Sequence, residues 1–393
     1  VTQVIPLNQA EVTDEDVRCV AEALRTGVLT LGTFLAEFEQ LVAERTRRTH
    51  AVGVGSGAAA IEIALHALGI GPGDEVLVPA FGFSSMPHSV LNVGARPVFV
   101  DVDPMSLNMD PERAAAACGK RTKAILAALT FGNPAKLPEL ISLASRMEIP
   151  MIENATEALG TTYGTDNAGR FGRIAALGFW ANRQVTTGEG GMLVTHDDAL
   201  ARACRAIRHQ GREDRVSFAT QTRDLGALLE YTGLAGYDGR LSELAAALGC
   251  SQVRRLDQTI ARRQAIANAY VRRLAANPDV LLPTVPEGAS VSWSSFVIRL
   301  TTRYTADDRD AVIGVLHRQD VGAANYFPAI PTLPRVRAVC GHEPGEFPAA
   351  ESAAARAIAL PFFNAMTEDQ VDVVCSTLEV ALARIGGTGR AVR

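Results

Sequence analysis

Glu75-Val-Leu-Val-Pro-Ala-Phe-Gly-Phe83, with a helical pattern near 84–92 and then Pro97-Val-Phe-Val100, is the stretch whose reading decides the fold. A short continuous apolar run, a helix and a second apolar run make a strand–helix–strand unit. Strands apolar on both faces belong to a sheet covered by helices on either side. The alternation extends outward in both directions. Further apolar runs lie at Ala51–Val54, Ala124–Ala128, Pro150–Ile152, Ala175–Phe179 and Met192–Val194, and helical patterns near 58–68, 111–117 and 137–147 separate most of them. The expected architecture is an α/β domain with a mainly parallel sheet between helices.

Upstream, Thr13-Asp-Glu-Asp16 opens a helix with a capping-box pattern, followed by Val17, Val20, Ala21 and Leu24 on one face and by Gly27 as its end. A second helix is expected over about 35–44. Downstream of Leu241 the texture changes. One long arginine-studded helix is expected from there to about Ala275. A Pro-rich break (Pro278, Pro283, Pro286), a strand over 295–300 and helices near 306–318, 349–357 and 367–383 follow. The division expected is a large domain over 1–245 and a small α+β domain over 246–393. The polar segment 210–235 is expected to form a mobile loop.

The 393 residues are 47% hydrophobic and 21% charged, with a net charge of -5. Such a balance gives no electrostatic footprint for nucleic acid or an anionic membrane. No apolar run approaches the roughly 18 residues of a membrane span. Six cysteines stand far apart, and the histidines show no metal-ligand spacing. The expectation is a cytoplasmic protein acting on a small molecule, with no metal. Of 38 basic residues only Lys120, Lys123 and Lys136 are lysine. Codon usage explains that bias on the surface, but chemistry that needs an amine has only these three to draw on.

Ser56-Gly-Ala-Ala-Ala60 joins a strand to a helix, a junction that offers backbone N–H groups to an anion such as phosphate. Ile5-Pro-Leu7, Gly69-Ile-Gly-Pro-Gly-Asp-Glu-Val-Leu-Val-Pro79 and Pro97-Val-Phe-Val-Asp-Val-Asp103 are found in the first part of the chain. Ala181-Asn-Arg-Gln-Val-Thr-Thr-Gly-Glu-Gly-Gly191, Gly236-Tyr-Asp-Gly-Arg240 and Tyr326-Phe-Pro328 follow in that order. With these motifs the chain resembles, nearly end to end, the DegT/StrS-type sugar aminotransferases, fold type I enzymes that use pyridoxal phosphate. The resemblance implies a mixed seven-stranded sheet, a small C-terminal domain and a homodimer whose active sites are completed across the interface.

The resemblance also implies cofactor positions, and six of them depart from the family pattern. The imine-forming lysine is matched by Arg183, and the aspartate that partners the ring nitrogen by Asn154. A glutamine three residues later is Glu157. The phosphate-binding threonine is Ala58, a phosphate-binding serine is Gly178, and an asparagine that reaches the neighbouring subunit's phosphate is Asp238. Phe83 keeps the place of the aromatic that stacks on the ring, and Ser56 and Gly57 keep the turn.

Deprotonating lysine at pH 7 costs about 5 kcal/mol against about 9 kcal/mol for arginine, so Arg183 cannot form an imine. Asp238 facing a phosphate would cost about 3 kcal/mol per unit of like charge. These departures lead to the expectation that pyridoxal phosphate is absent or not covalently bound. The chain would then be a cofactor-independent acid–base enzyme of secondary-metabolite (antibiotic) or modified-sugar biosynthesis, performing a dehydration, isomerisation or cyclisation. Glu157, Arg183 and Asp238 are its candidate catalytic residues, and His88, Arg240 and Tyr326 its candidate substrate contacts. Arg183 either grips an anionic ligand group or pairs with Glu157 or Asp238 to fill vacated space. Alternatives are a non-catalytic partner of an active paralogue, or a sugar aminotransferase or dehydratase that holds pyridoxamine phosphate noncovalently.

Overall fold

The computed structural model describes residues 4–212 and 232–388. The expected mobile loop over 210–235 lies mostly outside them.

Helix α1 (Asp14–Thr26) starts at Thr13, whose hydroxyl and amide exchange hydrogen bonds with Asp16, and ends at Gly27 with φ 70°. Helix α2 (Thr33–Thr46) has no side-chain cap of its own. Its N-terminal amides at Gly32, Phe34 and Leu35 donate instead to the buried carboxylate of Glu243, at 2.9, 2.9 and 3.0 Å.

The strands that follow are β1 (His50–Val54), β2 (Glu75–Pro79), β3 (Arg96–Val100), β4 (Thr122–Ala128) and β5 (Met151–Asn154). After these come the short β6 (Thr162–Tyr163) and β7 (Asp166–Asn167), then β8 (Ile174–Gly178) and β9 (Gly191–Thr195). Seven of them form one sheet in the order β1-β9-β8-β5-β4-β2-β3. The ladders are parallel except that β9 runs antiparallel to both of its neighbours. The strands sit within a residue or two of the apolar runs that predict them.

Alternation along each strand splits the core between the two faces. Val76, Val78, Ala124 and Leu126 pack under α3 (Gly57–Ala67), α4 (Ser85–Asn92) and α7 (Asp198–Arg208). Leu77, Ile125 and Ala127 pack on the other side, against α2 and α6 (Leu137–Arg146) with Ala114 of α5 (Pro111–Ala117). The α/β class expected from the alternation is thus the one found. Helix α7, capped by Asp197, is an element the apolar pattern did not reveal.

The expected single helix over 241–275 is two. Helix α8 (Glu243–Arg254) and α9 (Leu256–Leu274) part at Arg255, with φ -106° and ψ 12°. Helix α8 buries Ala246 and Cys250 in the core against α2, whereas α9 sends Ile266, Tyr270 and Leu274 into a third core. One straight helix would not present its apolar stripe to both. Arg255 ties the break to α1 through Asp16 at 2.6 Å. The third core is built on strands β10 (Val280–Leu281), β12 (Phe296–Leu300) and β13 (Ala357–Leu360), while β11 (Ala289–Ser290) pairs with β6. Helices α10 (Ala306–Arg318) and α13 (Glu368–Thr388) pack on that sheet, and α11 (Pro334–Cys340) and α12 (Pro348–Arg356) lie between them in sequence. The carboxylate of Asp101, just beyond β3, accepts from Ala349 and Ala350 at the start of α12, at 3.0 and 2.9 Å. This contact ties the C-terminal helices back to the large sheet. Among the described residues no helix is long and apolar enough to cross a membrane.

Candidate active site

A cavity of about 450 Å³ opens where the β1–α3, β2–α4 and β5–β8 connections meet the loop before β9. Loops at the carboxyl edge of parallel strands converge on one place, which is where α/β proteins bind ligands. Ser56 caps α3 by accepting from Ala59, and Ala60 donates to the Ser56 carbonyl. Gly57 and Ala58 line the cavity, and their amides make no hydrogen bond within the chain. Close packing keeps this corner small. A Cβ on Gly191 would come within 2.3 Å of the Ser56 carbonyl oxygen, and one on Gly57 within 2.8 Å of Thr156. A serine side chain at Gly178 would crowd Thr156, 3.1 Å from its Cβ position. The loss of that hydroxyl is therefore coupled to Thr156, whose own hydroxyl donates to Asn154 Oδ1 at 2.8 Å.

One wall is aromatic. Phe327 stacks on Tyr326 with ring centroids 4.8 Å apart and on Phe131 at 5.4 Å, and meets Phe83 edge-on at 5.8 Å. Opposite stands the loop 180–184. Arg183 Nη1 donates to Glu157 Oε1 at 3.2 Å, and Glu157 Oε2 accepts from the Phe131 amide at 3.0 Å. Arg183 Nε is buried without a partner, and so is Asn182 Oδ1. Beneath the loop, Arg263 of α9 donates to the carbonyls of Trp293 and Ser294 through Nη1, and of Asn182 and Arg183 through Nη2. Burial, with the nearby Arg183 charge, pulls the Arg263 pKa down to about 10. Burial pushes the Tyr326 phenol up, with Arg183 opposing and Glu157 assisting, so at neutral pH it is a proton donor.

Most of the residues expected at the site do meet there: Ser56, Gly57, Ala58, Phe83, Glu157, Gly178, Arg183 and Tyr326 all line the cavity. Asn154 lies just behind it, engaged with Thr156. Three expected residues lie outside this chain's cavity lining. Asp238 pairs with Arg240 at 2.7 Å, and Arg240 Nη1 is 2.6 Å from His209 Nδ1. His88 is half-buried on α4. Sequence reading missed Thr156, Trp180, Asn182, Glu189 and Arg263. Trp180, Asn182 and Glu189 flank Arg183 within the quoted 181–191 motif or beside it, and that proximity was the available signal. Arg263 gave none. The three lysines are elsewhere: Lys120 and Lys123 are exposed, and Lys136 lies 3.8 Å from Asp103.

A strand-edge cavity of this size, with a helix N-terminus on one side, an aromatic wall and ionisable groups, defines a small-molecule enzyme of the α/β class. The chain belongs to the DegT/DnrJ/EryC1/StrS aminotransferase family, which matches residues 10–379. It is 33% identical over 363 residues to a "Pleiotropic regulatory protein" of Geobacillus stearothermophilus, with 92% of each chain covered. It is 31% identical to a GDP-perosamine synthase of Caulobacter vibrioides, over 91% of this chain and 92% of that one. Among solved structures it matches S. venezuelae DesV, captured with a ketimine intermediate, at TM-score 0.87 and 30% identity, covering 97% and 99% of the two chains. The Streptococcus pneumoniae protein Spr1654, in its PMP form, has the same fold, with TM-score 0.90 and 22% identity over 97% and 100%.

These relatives correct the expectation of an enzyme that has left pyridoxal phosphate chemistry. The family is one of aminotransferases, the curated relatives include a GDP-perosamine synthase, and S. venezuelae DesV, 30% identical, holds a ketimine intermediate. The residues present fit a phosphorylated flat ring: the first two amides of α3, which make no hydrogen bond within the chain, small residues (Gly57, Ala58 and Gly178) around them, and an aromatic wall. They do not fit covalent attachment at position 183, where a guanidinium stands and no lysine lines the cavity.

Proposed function

We propose that the chain is a sugar aminotransferase that holds its pyridoxamine-type cofactor without a covalent link. The observation that carries this reading is Arg183, inside the cofactor-sized cavity and beside the retained Ser56–Gly57 turn at the start of α3. The amides of Gly57 and Ala58 would bind the phosphate and Phe83 would cover the ring. When bound, the cofactor supplies the amino group that replaces a sugar's carbonyl oxygen. Asn154 offers an amide rather than a carboxylate, so the chain contributes less electron-sink tuning than an aspartate would. Proton movement falls to groups already in place: the Glu157 carboxylate as acceptor and the Tyr326 phenol as donor. Arg183 holds Glu157 in position.

The same reading takes 1–245 and 246–393 as the two domains, and a homodimer as the working unit in the cytoplasm. Support for the dimer comes from Phe83 and Trp180, which line the cavity and are 55% and 49% exposed in the single chain, and from Asp238, which lies outside this chain's cavity lining with an exposed side chain. Cofactor binding is read from Trp180 fluorescence in a Trp293→Phe background, because the chain has two tryptophans. Pyridoxamine phosphate should quench it saturably. Pyridoxal phosphate followed by borohydride should leave no label on the natural protein but should label Arg183→Lys. A stoichiometric borohydride-fixed adduct on the natural protein, or no response to pyridoxamine phosphate, would sink the proposal.

A further inference from the structure

The end of β5 carries a polar group of which the chain uses half. Asn154 closes that strand and is only 7% exposed. Alternation along β5 puts its side chain on the face of Ile152, the face covered by α3 and α4, whose first turns border the cavity. Its ladder partners on that face, Ala128 and Ala176, bring no side-chain acceptor. Thr156 and Gly178, each two residues beyond Asn154 and Ala176, line the cavity directly above.

A backbone group decides which way the amide points. The Thr156 N–H, which can only donate, faces Asn154 Oδ1 at 3.3 Å, and the Thr156 hydroxyl donates to the same oxygen at 2.8 Å. The oxygen is spent within the chain, so Nδ2 with its two N–H donors is turned the other way. Nδ2 meets no acceptor among the described residues, yet unlike Asn182 Oδ1 it is not sealed inside the protein. An aspartate here would present a charged acceptor. This chain presents a neutral donor, and a donor selects an acceptor.

We infer that Asn154 donates through Nδ2 to the ring nitrogen of the bound cofactor, and that this nitrogen is an unprotonated acceptor. This rests on the cofactor reading proposed above. In pyridoxamine phosphate the ring nitrogen lies para to the carbon that carries the aminomethyl group. With the aminomethyl group turned to Tyr326 and Glu157, and the phosphate on the amides of Gly57 and Ala58, the nitrogen is left for the strand end. A protonated nitrogen there would set N–H against N–H. No carboxylate is free to hold its charge: Glu157 pairs with Arg183, and Glu189 is turned to Trp180. Glu153, next to Asn154, points to the opposite face and accepts from the amides of Gly169, Phe171 and Gly172. Burial and a hydrogen bond to the neutral form both favour the uncharged ring.

The test is nitrogen NMR at pH 7 on protein loaded with pyridoxamine phosphate that is isotopically labelled at the ring nitrogen. An unprotonated pyridine nitrogen resonates far downfield of a pyridinium, and the natural protein should give the downfield signal. Asn154→Asp, whose carboxylate can take both Thr156 hydrogen bonds, should give the pyridinium signal. Asn154→Leu should weaken cofactor binding about fivefold, the loss of one neutral hydrogen bond. The signal of the natural protein is decisive whether or not either variant folds. A pyridinium signal in the natural protein, the same signal in Asn154→Asp as in the natural protein, or unchanged affinity in Asn154→Leu overturns the inference and leaves the cofactor reading standing. No bound signal at all removes that reading, and the inference with it.

Discussion

At the scale of single residues, Arg263 shows how much of the site is held from behind. Its guanidinium has no carboxylate partner and spans the 182–183 and 293–294 backbones, joining the active-site loop to the core around α9. Replacing it by methionine strands those carbonyls in a buried place, where each lost charged hydrogen bond matters. Arg263→Met should lower stability by about 3 kcal/mol in urea denaturation and reduce pyridoxamine phosphate affinity. Arg263→Lys should recover only part, since one ammonium cannot span both backbones. An unchanged denaturation midpoint in Arg263→Met would show that the loop is held by other contacts. Arg183 and Asn154, by contrast, were legible in the sequence because each occupies a definite place in a local motif.

Among the elements, α2 illustrates a helix completed by tertiary structure. Its N-cap is Gly32 and not Ser, Thr, Asp or Asn, and the cap arrives from Glu243 at the first turn of α8. A carboxylate on three free amides satisfies both their hydrogen bonds and the helix dipole. Glu243→Ala should cost about 2 kcal/mol, within the upper range for a lost cap, and Glu243→Gln should cost less. Hydrogen exchange gives the local reading: the amides of Gly32, Phe34 and Leu35 should exchange faster in Glu243→Ala than those of α6. Uniform acceleration across the domain would count against a capping role. The division of the 241–275 helix has the same origin, because the local pattern is helical throughout and only the two separate cores demand a break at Arg255.

For the whole molecule, Asp16 links α1, the α8–α9 break and the response to acid. Its buried carboxyl would be pushed up by desolvation, but the Thr13 amide, the Ser251 hydroxyl and the Arg255 charge outweigh that and hold its pKa below the usual value. A carboxyl depressed on folding stabilises the protein above its unfolded pKa of about 3.9, and the benefit is lost as pH falls through the depressed folded value. Asp16→Asn should therefore be about 2 kcal/mol less stable than the natural protein at pH 7. The two melting curves should converge as the pH is lowered below about 4. A gap that stays constant across that window would remove the linkage.

What the sequence determined by itself was the fold class, the strand positions and the chemical nature of residues 154, 157 and 183. Those follow from periodicity and from motifs read over a dozen residues, which are local properties of the chain. Its reading of the cofactor failed, because lost side chains could be counted there but the retained helix amides, aromatic wall and small residues could not be seen to coincide. The tertiary structure alone decided which side chains converge. It brought Phe131's amide to Glu157, set Arg263 under Arg183, and left Asp238, Arg240 and His88 outside the cavity. The physical reason is that a site at the edge of a sheet is assembled from loops far apart in sequence, and nothing local specifies which of their atoms meet.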